Sequence, residues 1–496
     1  MNGHHALPEM AAPATPLLRP TAAAGLAAAA VALAYGAFSA PLPATAAIWG
    51  GAALAAWCGA LLTACSLLAG RDGLGLAQWK LGSWFLAYCA VADGIASISR
   101  AGILALILPS SVTRAEWLTA VAVTAWAAGY CSGPRRFPKT SARRLVARLA
   151  AARADTVRGP LTPLLLYAAG TAARLASAVL LGHLGYVVGS PAAAVSSAAW
   201  YQQALSDAAL ACPLAVAVCG LRAFREKAPG AGVTLAVLLA VEAASALVMG
   251  SKGQFVIAVV AVAIARASAG RGVPAGLVLI AAAVALLFVI PFVSAYRAEA
   301  RPADAAALTP AQAAAAAPSL GRSTAAAASP GTIAASGDYL AQRLSDISGP
   351  ALVLQETPAQ VPYVSPAQIP ETLAADLIPR VLWPGKPVVD PGLEFTRDYY
   401  GSSVITASAI TPQGDLYRYG GWLTVITGMA VLGWLVRIVD DTLDVRDPRA
   451  ALLLLLLWPV LADPEGSYTG MLAVLPGLIL TWIVVTTTAF RRPGVQ

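Results

Sequence analysis

The chain has 496 residues, of which 58% are hydrophobic and only 12% charged, with a formal net charge of +8. Soluble domains are about half apolar and about a quarter charged, so this composition excludes an ordinary soluble protein. A nucleic-acid-binding protein would carry a basic stripe on a soluble face, and the sequence has no such stripe. Apolar runs of about twenty residues instead indicate helices that cross a bilayer.

We therefore predict an all-α polytopic membrane protein with about twelve transmembrane helices. Residues 1–20 are rich in Pro and Ala and are predicted to be disordered. The apolar run at 21–40 is followed at once by a second run, which favours a retained anchor over a signal peptide. Nine spans are predicted within residues 21–295, at 21–40, 46–70, 82–108, 118–133, 163–188, 203–221, 232–249, 253–266 and 274–294.

Residues 296–418 are the one long polar stretch, and we predict that they form an extracytoplasmic loop before the last three spans. Within this loop, 302–337 is an Ala/Pro/Ser/Thr tract that is too poor in large apolar residues to bury a core. The chain closes with a membrane segment at 419–490, containing spans at 419–437, 450–466 and 470–489, and with a tail at 491–496.

The basic residues predict the orientation, because cytoplasmic connections of membrane proteins are enriched in Lys and Arg. An even number of predicted spans separates each basic cluster from the next. All of these clusters and both termini are therefore predicted on the cytoplasmic side of the membrane, with the long loop outside. The clusters lie at 135–158, 222–227, 266–271, 437–449 and 491–492.

Several charged residues lie at predicted bilayer depth, where they are costly and need a partner or a cavity. Arg174 is near the middle of the fifth span and Glu242 near the middle of the seventh. Two interpretations are open: the two residues neutralise one another, or Arg174 meets an anionic headgroup in an outward-facing cavity. Lys252 lies in a GSKGQ turn that is predicted on the outer side.

No metal or cofactor is expected. Outside the N-terminal segment, His183 is the only histidine, and none of the six cysteines forms a CxxC pair. The sequence also lacks a P-loop, a GxSxG elbow and an HExxH motif.

The loop and its borders combine cations, carboxylates and aromatic residues. Arginine binds phosphate bidentately and lysine as a point charge, while a carboxylate can deprotonate an acceptor hydroxyl. The alternative is that these side chains make salt bridges that fold an ordinary loop. The candidate bases are Asp415, Asp346 and Glu394, and the candidate substrate-binding residues are Arg297, Arg301, Arg380, Lys386, Arg418, Arg174, Lys252 and Trp383.

Two blocks in the sequence, DLIPRVLWPGKP at 376–387 and SAITPQGDLYRYGGWLTVITGMAVLGWL at 408–435, resemble the bacterial O-antigen polymerase family, also called oligosaccharide repeat-unit polymerases. That family often shows an IPR-x-x-W-P-x-K-P block and then a G-E-x-Y-x-N-F-G block entering a span. Asp415 stands where the second block usually has Glu, and Lys252 stands where the family often has Arg. The two blocks cover about forty residues, whereas the order of spans and loop is similar over most of the chain.

The resemblance implies a metal-independent glycosyltransferase that joins undecaprenyl-pyrophosphate-linked oligosaccharide repeat units outside the cytoplasmic membrane, for O-antigen, exopolysaccharide or capsule. A flippase and a chain-length regulator are then candidate partners. An O-antigen ligase is a rival, but its resemblance would carry a loop histidine that is missing here. A lipid-linked oligosaccharide flippase or other export transporter is the rival that is not an enzyme, and a structural membrane protein is a further one.

Overall fold

The computed structural model describes residues 18–71, 79–98, 107–133, 156–181, 199–249, 251–289, 292, 345–378, 383, 391–401, 409–462 and 465–491. These residues form helices joined by short turns, and their one β-type pairing is an isolated antiparallel bridge between Val157 and Phe490. The predicted all-α class is confirmed for this part of the chain.

The described part of the chain contains seventeen α-helices, numbered here in chain order. The first ten are α1 (Leu18–Ser39), α2 (Pro43–Arg71), α3 (Leu81–Cys89), α4 (Pro109–Ser132), α5 (Thr162–Leu181), α6 (Ala199–Ala209), α7 (Ala211–Phe224), α8 (Ala231–Val248), α9 (Lys252–Ser268) and α10 (Ala275–Val284). The others are α11 (Ser348–Glu356), α12 (Gln368–Leu377), α13 (Pro391–Tyr400), α14 (Pro412–Thr442), α15 (Pro448–Leu461), α16 (Tyr468–Ala473) and α17 (Leu475–Ala489).

Among the described residues, six helical stretches are long and apolar enough to cross a membrane, so the chain is a membrane protein. They are Thr21–Ser39, Pro43–Ser66, Leu81–Ile98, Gln203–Phe224, Pro412–Thr442 and Tyr468–Ala489. Helices also overlap the other predicted spans, but these are shorter or less apolar. The number of twelve crossings and the position of the long loop outside the membrane stay predictions.

The helices form two groups. In the first group, α2 packs on α1, α3 and α4, and α14 packs on α3 and α4; in the second, α5, α8 and α9 pack around α7. Helix α15 contacts α3 of the first group and α7 and α9 of the second, and α17 contacts α15 together with α5 and α7 of the second group. Among the described residues, a continuous apolar core links the two groups.

Two glycines allow α4 and α14 to approach at backbone distance. A Cβ atom at Gly129 would collide with the backbone of Ala430, and one at Gly433 would collide with the backbone of Trp126. Small residues at such crossings let helices pack closely in membranes, where dispersion contacts drive association. The α4–α14 crossing therefore depends on both glycines.

Helix α14 is interrupted near its N-terminal end by two glycines. Gly421 has a φ of 68°, a left-handed conformation that favours glycine, and it breaks the helix together with Gly420. The break separates a polar first segment from the long apolar remainder. Helix α14 begins at Pro412, ahead of the predicted span start at residue 419, so the polar residues predicted at the membrane edge lie inside a helix.

Basic helix ends from distant parts of the chain meet at one face. The Arg225 guanidinium donates to the Arg446 carbonyl at 2.8 Å, and that of Arg158 donates to the Phe490 carbonyl at 2.9 Å. Lys80 donates to the carbonyl of Asp440, whose carboxylate in turn caps the start of α3 by accepting from two backbone amides at 2.8 and 3.0 Å. The Asp440 end of α14 lies at this basic face, roughly 35 Å of helix from its polar first segment.

Candidate functional site

The polar first segment of α14 is fixed by a helix cap. Thr411 adopts a positive φ of 62° and its hydroxyl accepts from the Gly414 amide at 3.4 Å, while Pro412 occupies the first turn. Threonine at the cap and proline in the first turn are favoured starts of a helix. This start places Asp415 and Arg418 three residues apart, on adjacent turns of the helix.

Asp415, Arg418 and Glu394 form a row of alternating charge. Arg418 Nη1 lies 3.7 Å from Asp415 Oδ1, and Arg418 Nη2 lies 3.5 Å from Glu394 Oε2 on α13. The other oxygen of Asp415 accepts from the backbone amide and the hydroxyl of Thr469 at 3.2 and 3.0 Å. Three elements, α13, α14 and α16, therefore meet at this row.

Exposure differs sharply along this row. Asp415 is 0% exposed and Arg418 is 3% exposed, whereas the Glu394 side chain is 38% exposed. A general base must come within hydrogen-bond distance of the hydroxyl that it deprotonates. Glu394 is therefore the carboxylate that a substrate can reach in this conformation, and Asp415 is placed to hold Arg418.

Aromatic residues flank the row at the break in α14. Tyr363 and Trp422 are 43% and 41% exposed, and both rings contact Tyr417, at centroid distances of 6.0 and 6.1 Å. The Val364 amide donates to the Arg418 carbonyl at 2.8 Å, which binds the segment carrying Tyr363 to α14. Exposed flat rings beside polar groups are suited to stacking against sugars.

Helix α13 is fixed by its aromatic residues. Phe395 is fully buried and contacts the ring of Tyr399 at 5.1 Å, and the hydroxyl groups of Tyr399 and Thr357 are 2.5 Å apart. Burial raises the pKa of Tyr399, while the hydrogen bond with Thr357 and the positive charge of Arg418 partly oppose that rise. Tyr399 is thus a neutral hydrogen-bonding group beside the row at neutral pH.

Asp346, another predicted base, is placed differently. It lies just before α11 and is 6% exposed, and the Tyr88 hydroxyl of α3 donates to it at 2.7 Å. Helix α11 packs on α4 and α14. This contact holds the start of α11 against the membrane domain, which favours an anchoring role for Asp346.

Arg174 and Glu242 form a buried bidentate ion pair. The two guanidinium nitrogens lie 2.8 and 2.6 Å from the two carboxylate oxygens, and Tyr167 donates to the same carboxylate at 2.9 Å. Ser245 lies 3.5 Å from the guanidinium group. Of the two interpretations of Arg174, this geometry supports mutual neutralisation between α5 and α8 rather than a role in substrate binding.

The other predicted cations are only partly described. Arg297, Arg301, Arg380 and Lys386 lie outside the described residues. Trp383 is described and 40% exposed. Lys252 is the first residue of α9, whose N-cap Ser251 accepts from the Gln254 amide at 3.4 Å.

An apolar cavity of about 470 Å³ opens between α1, α2, α4 and α14. Its wall is rich in small residues, with the flat rings of Trp57 and Trp117 beside them. Glu116 also lines it, but its Oε2 atom is buried beside Gly50 and its Oε1 atom accepts from the Ser97 hydroxyl at 3.2 Å. The wall therefore offers a surface for hydrocarbon.

Tyr363, Tyr399 and Thr469 are members of the site that the sequence does not predict. No local signal marks them, because each reaches the row from a different segment. Trp422 could have been noticed, since it follows the Gly–Gly pair directly. An aromatic residue at a break between a polar and an apolar segment is typical of a membrane interface.

Comparison with known proteins gives one match. Residues 172–443 match a family model described as "Domain of unknown function (DUF8712)". No curated protein matches the chain, and no solved structure matches it. The match covers more than half of the chain and includes Glu394, Asp415 and Arg418, so the protein belongs to the DUF8712 family.

Proposed function

We propose that this protein is a membrane glycosyltransferase that polymerises undecaprenyl-pyrophosphate-linked oligosaccharide repeat units on the outer face of a bacterial cytoplasmic membrane. The observation that carries the proposal is the row of Glu394, Arg418 and Asp415. In this row the carboxylate of Glu394 is exposed, and the buried residues Arg418 and Asp415 hold it in place at the end of a membrane helix. The resemblance of the two sequence blocks around it points to the same reaction.

The reaction is a glycosyl transfer. An acceptor hydroxyl oxygen attacks the anomeric carbon of the donor, the bond from that carbon to the pyrophosphate oxygen breaks, and the lipid pyrophosphate leaves with the electron pair. The hydroxyl proton passes to the Glu394 carboxylate and then to water. Arg418 orients Glu394, and Asp415 keeps Arg418 in place by balancing its charge.

The remaining parts of the substrate have candidate binding surfaces. Tyr363 and Trp422 offer rings for the sugars beside Glu394. Arg297, Arg301, Arg380 and Lys386 are the cations proposed to bind pyrophosphate, since preoriented cations stabilise the charge that develops on a leaving group. The apolar cavity between α1, α2, α4 and α14 has the character required to hold part of the isoprenoid tail.

The proposed orientation follows from charge. Basic helix ends meet at the face that contains Lys80, Arg225 and Arg446. Since positive connections are retained in the cytoplasm, this face is proposed to be cytoplasmic. The row at the other end of α14 then faces outward, where lipid-linked repeat units are joined.

A second candidate is a lipid-linked oligosaccharide transporter. Asp93 and Glu116 favour it, because both are almost fully buried and each has a carboxylate oxygen without a hydrogen-bond partner among the described residues. Buried carboxyl groups at bilayer depth often serve ion or proton pathways. The exposed carboxylate and aromatic rings at the outer end of α14 favour the transferase.

Deletion of the protein in its native host tests the proposal. We expect polysaccharide to shorten to single repeat units and lipid-linked single units to accumulate on the outer face of the membrane. Complementation with the wild type should restore long chains, whereas Glu394→Gln should leave single units. Asp398→Asn, a matched change of an exposed carboxylate on the same helix, should restore long chains.

The outcomes separate the candidates. Accumulation of lipid-linked units on the cytoplasmic face would identify a transporter. Unchanged polysaccharide in the deletion strain would overturn the proposed function. Long chains in the Glu394→Gln strain would leave the reaction class standing but remove Glu394 as the base.

A further inference from the structure

Two cysteines from different helices have their sulfur atoms in contact. Cys65 lies on α2 and Cys131 on α4, and their Sγ atoms are 3.3 Å apart. Both are free thiols, with Cys65 buried and Cys131 partly exposed near the end of its helix. A disulfide bond is about 2.05 Å long, so the sulfur atoms must approach by roughly 1.2 Å, which is within the reach of side-chain rotation.

A cation lies beside this pair. The Arg437 guanidinium stacks over the Tyr130 ring at 5.3 Å, its Nε lies 3.0 Å from Asp441, and its aliphatic stem packs at Gly133, two residues after Cys131. A neighbouring cation favours a thiolate, which is the form that reacts with oxidants. Cys131, as the less buried thiol, is the one that an oxidant reaches first.

The other four cysteines have different surroundings. Cys58, Cys89, Cys212 and Cys219 are at most 1% exposed. The Cys212 sulfur contacts the Thr171 hydroxyl and the Tyr167 carbonyl, and that of Cys219 contacts the Ala231 carbonyl. Neither of these two contacts offers a second thiol that could resolve an oxidised sulfur.

We propose that Cys65 and Cys131 are a reversible oxidation site that forms a disulfide between α2 and α4 when the protein meets a hydroperoxide. With hydrogen peroxide, the Cys131 thiolate attacks one peroxide oxygen, the O–O bond breaks, and the departing hydroxide is protonated to water. This gives a sulfenic acid. The Cys65 sulfur then attacks the sulfenic sulfur and the hydroxyl group leaves as water. Two thiols and one hydrogen peroxide thus give one disulfide and two waters.

The bond would join two helices of the group that includes α14. Helix α4 packs along α14, which carries Asp415 and Arg418, and α2 packs on both α1 and α4. An oxidised protein would therefore have this group of helices cross-linked near the basic face. This inference does not depend on the proposed function, because it rests only on the two thiols and their neighbours.

The test uses the purified full-length protein in lipid nanodiscs, treated with hydrogen peroxide, then alkylated under denaturing conditions and digested with trypsin. Cleavage after Arg71 and Arg114 separates the two cysteines, so a disulfide appears as linked peptides by mass spectrometry, and fragment ions distinguish Cys65 from Cys58 on the same tryptic peptide. We expect a Cys65–Cys131 link, a loss of two of the six thiols, and full recovery with dithiothreitol. Cys58→Ser should keep the link, and Cys131→Ser should abolish it.

Two results would overturn the proposal. One is the absence of linked peptides at a peroxide concentration that has already oxidised half of Cys131 to sulfenic or sulfinic acid. The other is a principal link between Cys58 and Cys89, which are close enough to influence one another electrostatically. Both results can be obtained with the wild-type protein, so the proposal can be tested even if a cysteine variant fails to fold.

Discussion

Asp415 and Arg418 form an ion pair that is buried from solvent, with Oδ1 and Nη1 3.7 Å apart on adjacent turns of α14. Neither of these two atoms has a hydrogen-bond partner among the described residues. Burying a charge without full compensation is costly, so such an arrangement is retained where it serves a purpose. Here the pair presents a fixed guanidinium to the exposed carboxylate of Glu394.

The first prediction concerns the shape of that guanidinium. Arg418→Lys keeps the positive charge but removes the planar fork that reaches Asp415 and Glu394 together. We expect the yield of long-chain polysaccharide to fall about tenfold, corresponding to about 1.4 kcal/mol of transition-state stabilisation. Gel profiles of polysaccharide from complemented deletion strains measure this change.

Arg397→Lys is the matched control for Arg418→Lys. Arg397 also pairs with a carboxylate, Asp398 at 2.8 Å, but its side chain is 70% exposed. We expect it to retain wild-type chain length. Equal losses in the two variants would show that arginine geometry at Arg418 has no special role.

The second prediction concerns the ion pair of Arg174 and Glu242. Glu242→Gln leaves the Arg174 charge buried without its partner, and we expect a loss of about 3–5 kcal/mol in stability. The double variant Arg174→Met with Glu242→Leu removes both charges and should recover most of that loss. Thermal unfolding in detergent, followed by fluorescence-detected size exclusion, ranks the stability of the wild type, Glu242→Gln and the double variant.

This series also decides between the two interpretations of Arg174. If the double variant is stable and polymerises normally, the pair is structural. If it is stable but loses polymerisation, Arg174 has a direct role with substrate.

The third prediction concerns the contact between α4 and α14. Gly433→Leu places a side chain against the backbone of Trp126, which has no room to move aside within a packed helix. We expect loss of folded protein, since separating the two helices removes their whole interface. The amount of monodisperse protein recovered from membranes measures the effect.

Gly232→Ala is the control for this glycine. Gly232 lies in α8 with open space where a Cβ would stand, so alanine should be neutral or stabilising by about 0.5–1 kcal/mol. If Gly433→Leu and Gly232→Ala gave equal yields, the close approach of α4 and α14 would not be a determinant of folding.

The fourth prediction concerns the apolar cavity. Ala53→Leu with Ala120→Leu fills part of its wall, and we expect the KM for a long-tailed lipid pyrophosphate donor to rise about tenfold while a short-tailed donor is unaffected. Ala240→Leu, on an exposed face of α8, is the control and should change neither value. If the wild type transferred equally well from both donors, the cavity would not bind the lipid tail. The proposed transferase activity would be unaffected by that result.

Much of the fold could be predicted from the sequence. Runs of apolar residues predict helices, and helices overlap every predicted span. The reason is that a chain at bilayer depth must satisfy its backbone hydrogen bonds internally, which a helix does locally. The irregular end of the third span, with a π-segment at Ala90–Ile95, follows no periodicity that the sequence displays.

Part of the candidate site could also be predicted. Asp415, Arg418 and Glu394 were named from residue type and spacing, and the structure brings these three together. The role of each residue could not be predicted from the sequence, because burial in the folded protein decides which carboxylate can contact a substrate. Asp346 and Arg174 look equally suitable in the sequence, and the structure gives both of them partners on other helices.

The sequence by itself determined a helical membrane protein with a basic set of helix ends and a polar segment that carries paired charges. These properties depend on composition and local spacing, and they hold wherever the helices pack. Only the tertiary structure decided that Arg418 lies between two carboxylates, that Thr469 fixes Asp415, and that the sulfur atoms of Cys65 and Cys131 touch. Such contacts depend on how distant helices cross, and small residues such as Gly433 set those crossings through excluded volume.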